Sequence, residues 1–192
     1  MKKIVLAIYT LMFVFAAYAQ DSTVHMNFRG IPIMGTIDSF SSELEKLGYK
    51  EISKETEQTR FEGLFTGENV QLIVSYSRKT KTVWRVDVRF GKPTSWDELK
   101  GKFYNYRSKF TGKYGKPKYT SENFAHTVAP GEELAAVFHG LRCFYEAMYY
   151  VDGGTIRLYI PETGLGVAYT DDEGTKLAQR ESKETPQVNN DF

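Results

Sequence analysis

The sequence predicts an α+β fold: two αβββ repeats forming a mainly antiparallel six-stranded sheet with the helices packed on one face. Three observations predict it. Apolar residues recur at helical steps in two segments, and each segment is followed by three strand-like runs separated by turn residues. Each helix carries a single apolar stripe, which one face of a shared sheet can cover. A single cysteine excludes a disulfide scaffold, and 41% hydrophobic with 26% charged residues suits one globular domain. The domain is expected over residues 20–172, with half-repeats at about 27–91 and 92–172 and a polar, frayed tail over 173–192.

The first repeat opens with an extended segment, Phe28-Arg29-Gly30-Ile31-Pro32-Ile33-Met34-Gly35. Ile37, Phe40, Leu44 and Leu47 then mark one helical face, with Thr36 as N-cap and Gly48 as stop. Phe61 to Phe65 and Val70 to Tyr76 flank Thr66-Gly67-Glu68-Asn69 as a hairpin would. The third strand alternates Trp84, Val86, Val88 and Phe90 against Val83, Arg85, Asp87 and Arg89.

In the second repeat Ser95-Trp96-Asp97-Glu98 has the form of a capping box. It leads the stripe Trp96, Leu99, Phe103, Tyr106 and Phe110, which stops at Tyr114-Gly115-Lys116-Pro117. An irregular insert, 118–140, holds a short helix at Glu132 to Phe138. Strands are expected at 142–151, 155–160 and 165–170.

Lys2 and Lys3, the apolar run of 15 residues from Ile4 to Tyr18 and the motif Ala17-Tyr18-Ala19 predict a signal peptide over 1–19. The protein is then periplasmic or secreted, with no integral membrane segment after cleavage. No cysteine at the junction offers a lipid anchor. Removing Lys2 and Lys3 leaves 23 basic against 24 acidic residues, a balance that gives no general attraction to nucleic acid.

No motif for a metal, a nucleotide cofactor or a catalytic serine is present, so no cofactor and no catalytic residue is expected. His126, His139 and Cys143 in or beside the insert are the candidates for an alternative reading as an envelope hydrolase. The basic residues Lys102, Arg107, Lys109, Lys113, Lys116 and Lys118 suit the polar side of the second helix, whose C-terminal end favours cations.

The aromatic residues are more informative. Eight fall in residues 20–91 and 16 in residues 92–192, although matched repeats have similar cores to fill. In a two-layer fold one sheet face meets solvent. Core placement of Val86 and Val88 turns Arg85, Asp87 and Arg89 outward, and the set Ile156, Leu158, Ile160 turns Arg157 and Tyr159 outward. Strand 142–151 has two phases open: one exposes Glu146 and Tyr150, the other Tyr145 and Tyr149. Tyrosine and arginine are enriched in protein interfaces, although cross-strand pairing on a solvated sheet accounts for them without a partner. The expected partner-binding set is Arg85, Arg89, Arg157, Tyr159, Tyr145 and Tyr149.

Phe28 to Gly35, with Leu44-Glu45-Lys46-Leu47-Gly48-Tyr49 after it, resembles the start of a group of uncharacterised exported bacterial proteins. At the level of topology the plan resembles the β-lactamase inhibitor proteins and the small outer-membrane assembly lipoproteins of the SmpA/OmlA type. The former resemblance implies a sheet face offered to a protein target. The chain departs from both, having neither the inhibitors' disulfides nor a lipidated cysteine. The expected function is an exported, non-catalytic binding module for a protein or other envelope component, with a homodimer or a self-associating structural protein as further readings.

Overall fold

The computed structural model describes residues 23–140 and 143–184; the expected signal peptide lies outside them. The chain begins with a short ribbon, β1 (Asn27–Phe28) and β2 (Ile31–Pro32). Arg29 and Gly30, with φ of 50° and 87°, form the left-handed two-residue turn between them. The turn places Phe28 and Ile33 in the core, both fully buried, which gives the glycine and apolar pattern of that segment its physical reason.

Helix α1 (Ile37–Lys46) starts at Thr36, whose hydroxyl accepts from the Ser39 amide, and buries Ile37, Phe40 and Leu44. Four strands follow: β3 (Lys50–Lys54), β4 (Gln58–Phe65), β5 (Glu68–Tyr76) and β6 (Val83–Phe90). Helix α2 (Trp96–Tyr114) is capped by Ser95, and the Glu98 carboxylate reaches back to the amide and hydroxyl of Thr94. It leads to β7 (Tyr119–Phe124), the short α3 (Glu133–Phe138), β8 (Cys143–Val151), β9 (Gly154–Tyr159) and β10 (Gly166–Asp171), and α4 (Asp172–Lys183) follows.

The fold is α+β with one large antiparallel sheet. That sheet has eight strands, in the order β3-β4-β5-β6-β10-β9-β8-β7, where six were expected. The two strands missed are its edges. An edge strand pairs on one side only and here is largely exposed, so Lys50–Lys54 and Tyr119–Phe124 lack the apolar alternation that marks an inner strand. Half of the expected irregular insert is therefore strand and helix.

The polar tail expected from residue 173 is also corrected. Through Lys183 it is helix, capped by Asp171 and held by Glu181, whose carboxylate accepts from the amides of Lys79 and Thr80. It packs along β6 through Gly174, which lies against Trp84, and its buried positions are this glycine and Glu181 rather than an apolar stripe, so periodicity does not reveal it.

One hydrophobic cluster joins Phe40 and Leu44 of α1 and Leu99, Phe103 and Phe110 of α2 to Phe61, Leu72, Val88, Leu158 and Tyr149 of the sheet. The alternate residues of each inner strand face away from that cluster.

Candidate functional site

The outward residues of the inner strands form two adjacent rows. Register places Glu62, Gln71, Arg89, Gly166, Tyr159 and Glu146 side by side across β4, β5, β6, β10, β9 and β8. The neighbouring row runs Arg60, Ile73, Asp87, Ala168, Arg157 and Met148. Seven of these twelve residues, among them Arg89, Arg157 and Tyr159, line a groove of about 1110 Å³, with Lys50 and Ile52 on one side and Val137, Phe144, Ile160 and Pro161 on the other.

Asp87, buried beneath the floor, is the hub that holds it. Its carboxylate takes Nε of Arg85 at 2.6 Å, Nη2 of Arg85 at 3.0 Å and the Tyr159 hydroxyl at 2.7 Å. Burial opposes the charge on Arg85, but the bonds from Asp87 outweigh it and raise the guanidinium pKa. The Tyr159 phenol is pushed up to about 12, by burial first and by the Asp87 charge second.

Two guanidiniums flank the Tyr159 ring, Arg89 at 5.1 Å and Arg157 at 4.7 Å from its centroid. Arg157 donates through Nε to Glu146 at 2.6 Å. Arg89 is left less satisfied. Its nearest carboxylate oxygen, on Asp87, is 3.6 Å away, and its buried Nε has no hydrogen-bond partner among the described residues. Gly166 is what permits this packing, because a Cβ there would stand 3.1 Å from the Tyr159 ring and 3.5 Å from Nη1 of Arg89.

Of the six expected partner-binding residues, the structure brings Arg85, Arg89, Arg157 and Tyr159 together. Tyr145 and Tyr149 lie on the opposite face. Tyr145 stands edge-on to Trp96 at 5.0 Å, and Tyr149, fully buried, donates to the Arg107 carbonyl at 3.1 Å. The longer α2 presents an aromatic stripe, and these strand tyrosines pack against it, so much of the second half's aromatic content is core. The phase of β8 instead turns Phe144, Glu146, Met148 and Tyr150 outward. Asp87, Glu146 and Gly166 were not expected in the site. The alternation Arg85-x-Asp87-x-Arg89 and a glycine inside a strand were the signals that mark them.

Comparison with protein-family models, with curated proteins and with solved structures finds no match to this chain.

The histidine and cysteine candidates do not assemble a nucleophile. His126 and His139 are exposed, no hydrogen bond joins either to Cys143 among the described residues, and burial pushes the Cys143 thiol up to about 11. No group of three or more His, Cys, Asp or Glu among the described residues is placed to hold a metal. The basic side of α2 is partly spent, since Lys102 pairs with Glu68 and Arg107 with Glu122. No helix among the described residues is long and apolar enough to cross a membrane.

Proposed function

We propose that the protein is an exported, non-catalytic binding module that receives a partner protein, or another envelope component, on the outward face of its sheet. The observation that carries this reading is the groove of about 1110 Å³ over the Arg89, Tyr159 and Arg157 floor. It combines arginine and tyrosine with flanking apolar side chains, the composition of interface hot spots. The basic, apolar and A-x-A start of the sequence supports export. A helix with four strands after it occurs twice, the second time with the short α3 between the first strand and the other three, which supports a tandem duplication of one unit with the two last strands, β6 and β10, paired at the centre.

A photo-crosslinking phenylalanine analogue at position 144, on the groove wall, tests the reading in the native envelope. It is expected to give one discrete adduct that excess unlabelled protein competes away. The same probe at position 34, exposed in the segment before α1 and outside the groove lining, is expected to give none. Equal labelling from both positions removes the groove as the working surface. An adduct of twice the chain mass assigns the face to self-association, which the open edges of β3 and β7 also favour.

A further inference from the structure

We propose that the groove recognises the C-terminal carboxylate of a partner polypeptide whose last residue is apolar, with Arg89 as the carboxylate anchor. The inference rests on the binding-module reading and names its ligand chemistry.

Charge complementarity is the first argument. Four cations, Lys50, Arg60, Arg89 and Arg157, line the groove with only two anions, Glu62 and Glu162. Two of those cations are already engaged: Arg157 by Glu146 at 2.6 Å and Arg60 by Glu55 at 3.2 Å. Arg89 is the one on the floor with a buried Nε that has no partner among the described residues. Asp87 reaches Arg89 only loosely, its Oδ1 lying 3.6 Å from Nη2 while the shorter bonds go to Arg85 and Tyr159. The Arg89 side chain keeps 23% of its surface exposed, and the terminal nitrogens of a guanidinium can meet a carboxylate through two parallel hydrogen bonds.

The neighbours agree with that ligand. Gln71 adjoins Arg89 in the same row, and its Oε1 faces Nη1 of Arg60 at 3.5 Å, which leaves the Nε2 amide hydrogens for an incoming oxygen. Phe144 and Pro161 supply an apolar wall beside the cation, with Val137 and Ile160 buried behind them, suited to a side chain attached next to the carboxylate. The size favours a chain over a small acid. At about 1110 Å³ the groove exceeds the roughly 300–1,000 Å³ typical of small-molecule pockets.

The test is a titration of the full chain, labelled at arginine nitrogens, with acetyl-Gly-Ser-Leu-Phe carrying a free carboxylate, with the same peptide amidated, and with 3-phenylpropanoate. The free-carboxylate peptide is expected to shift the Arg89 Nε–H resonance and saturate at or below about 1 mM, with the amide at least about tenfold weaker. Arg89→Gln should abolish the preference for carboxylate over amide. Gln71→Glu, a half-buried change that sets an internal carboxylate beside Arg89, should do the same with the fold intact. Equal binding of peptide and amide overturns the carboxylate anchor while the groove stands. Phenylpropanoate binding as tightly as the peptide overturns the polypeptide ligand. Absence of saturation by every probe at about 10 mM overturns this inference, whereas crosslinking from position 144 reports on the groove separately.

Discussion

The Tyr159 hydroxyl of β9 donates to Oδ1 of Asp87 on β6 at 2.7 Å, passing over β10, the strand between them. Backbone pairing links only neighbouring strands, so this bond ties the centre of the sheet across a second spacing. Tyr159→Phe leaves Arg85 on Asp87 and removes one bond to a charged acceptor, an expected loss of about 1.5–3 kcal/mol in urea denaturation. In a double-mutant cycle with Asp87→Asn the coupling should reach about 1 kcal/mol or more. A coupling near zero would show that the bond contributes nothing.

Gly166 makes that crossing sterically available. A Cβ at this position would meet Cε1 and Cζ of Tyr159 at 3.1 Å, tighter than ordinary van der Waals contact. Gly166→Val is therefore expected to displace the ring and cost about 1–3 kcal/mol, with Gly166→Ala costing less. Comparison of their denaturation midpoints checks the order, and equal stability of the two variants would mean that the ring yields freely.

The inner strands and helices α1 and α2 were legible because each buries a periodic apolar face: Phe61 and Leu72 on strands of period two, Phe103 and Tyr106 at helical spacing. Edge strands β3 and β7 and helix α4 were not, because the strands are held by backbone pairing and the helix by the close approach of Gly174 to Trp84 and by polar contacts such as Glu181 with the Lys79 and Thr80 amides. In the site, alternation on β6 and β9 placed Arg85, Arg89, Arg157 and Tyr159 outward. Strand β8 is rich in large side chains on both faces, and only packing against Trp96 and Phe103 settles that Tyr145 turns inward. No local pattern states that Asp87 is shared by residues from two strands.

Alkaline pH provides a test of the tyrosine environments. Tyr159 and Tyr106 are each raised to about 12, with burial the first cause; Tyr104 is raised as far, chiefly by its bond to Glu122. A folded pKa above the unfolded value of 10.0 means that the unfolded chain loses its phenolic protons first. The stabilisation is complete below pH 10 and is lost as pH rises towards about 12. Denaturation midpoints should be level with respect to these groups up to that point and then fall. Tyr159→Phe should soften the fall, and an unchanged slope would assign the loss elsewhere.

Thr59 offers a gain. It is fully buried on the core side of β4, and its Oγ1 has no hydrogen-bond partner among the described residues. Valine has nearly the same shape and replaces the stranded hydroxyl by a methyl group. Thr59→Val is expected to stabilise the protein by about 1 kcal/mol, read as a raised denaturation midpoint at unchanged slope. A lowered midpoint would reveal a partner for that hydroxyl.

Asp171 carries the last prediction, because one carboxylate with no exposed surface joins three parts of the chain. Oδ1 accepts from the Gly174 amide at 2.7 Å and caps α4, while Oδ2 accepts from the Met26 amide at 2.8 Å and lies 3.0 Å from Nδ1 of His25. The Gly153 turn lies beneath that leader, too close for any side chain, since a Cβ there would stand 2.6 Å from the Val24 carbonyl. Asp171→Ala removes the cap and strands a buried amide, an expected loss of about 2–4 kcal/mol. Serine at the same position can restore the cap but is too short to hold the leader as well, so Asp171→Ser should recover about 1 kcal/mol of that. Hydrogen exchange separates the two functions. The Met26 amide should lose protection in both variants, and the Gly174 amide only in the alanine variant; retained protection at Met26 would show that the leader is held by packing alone.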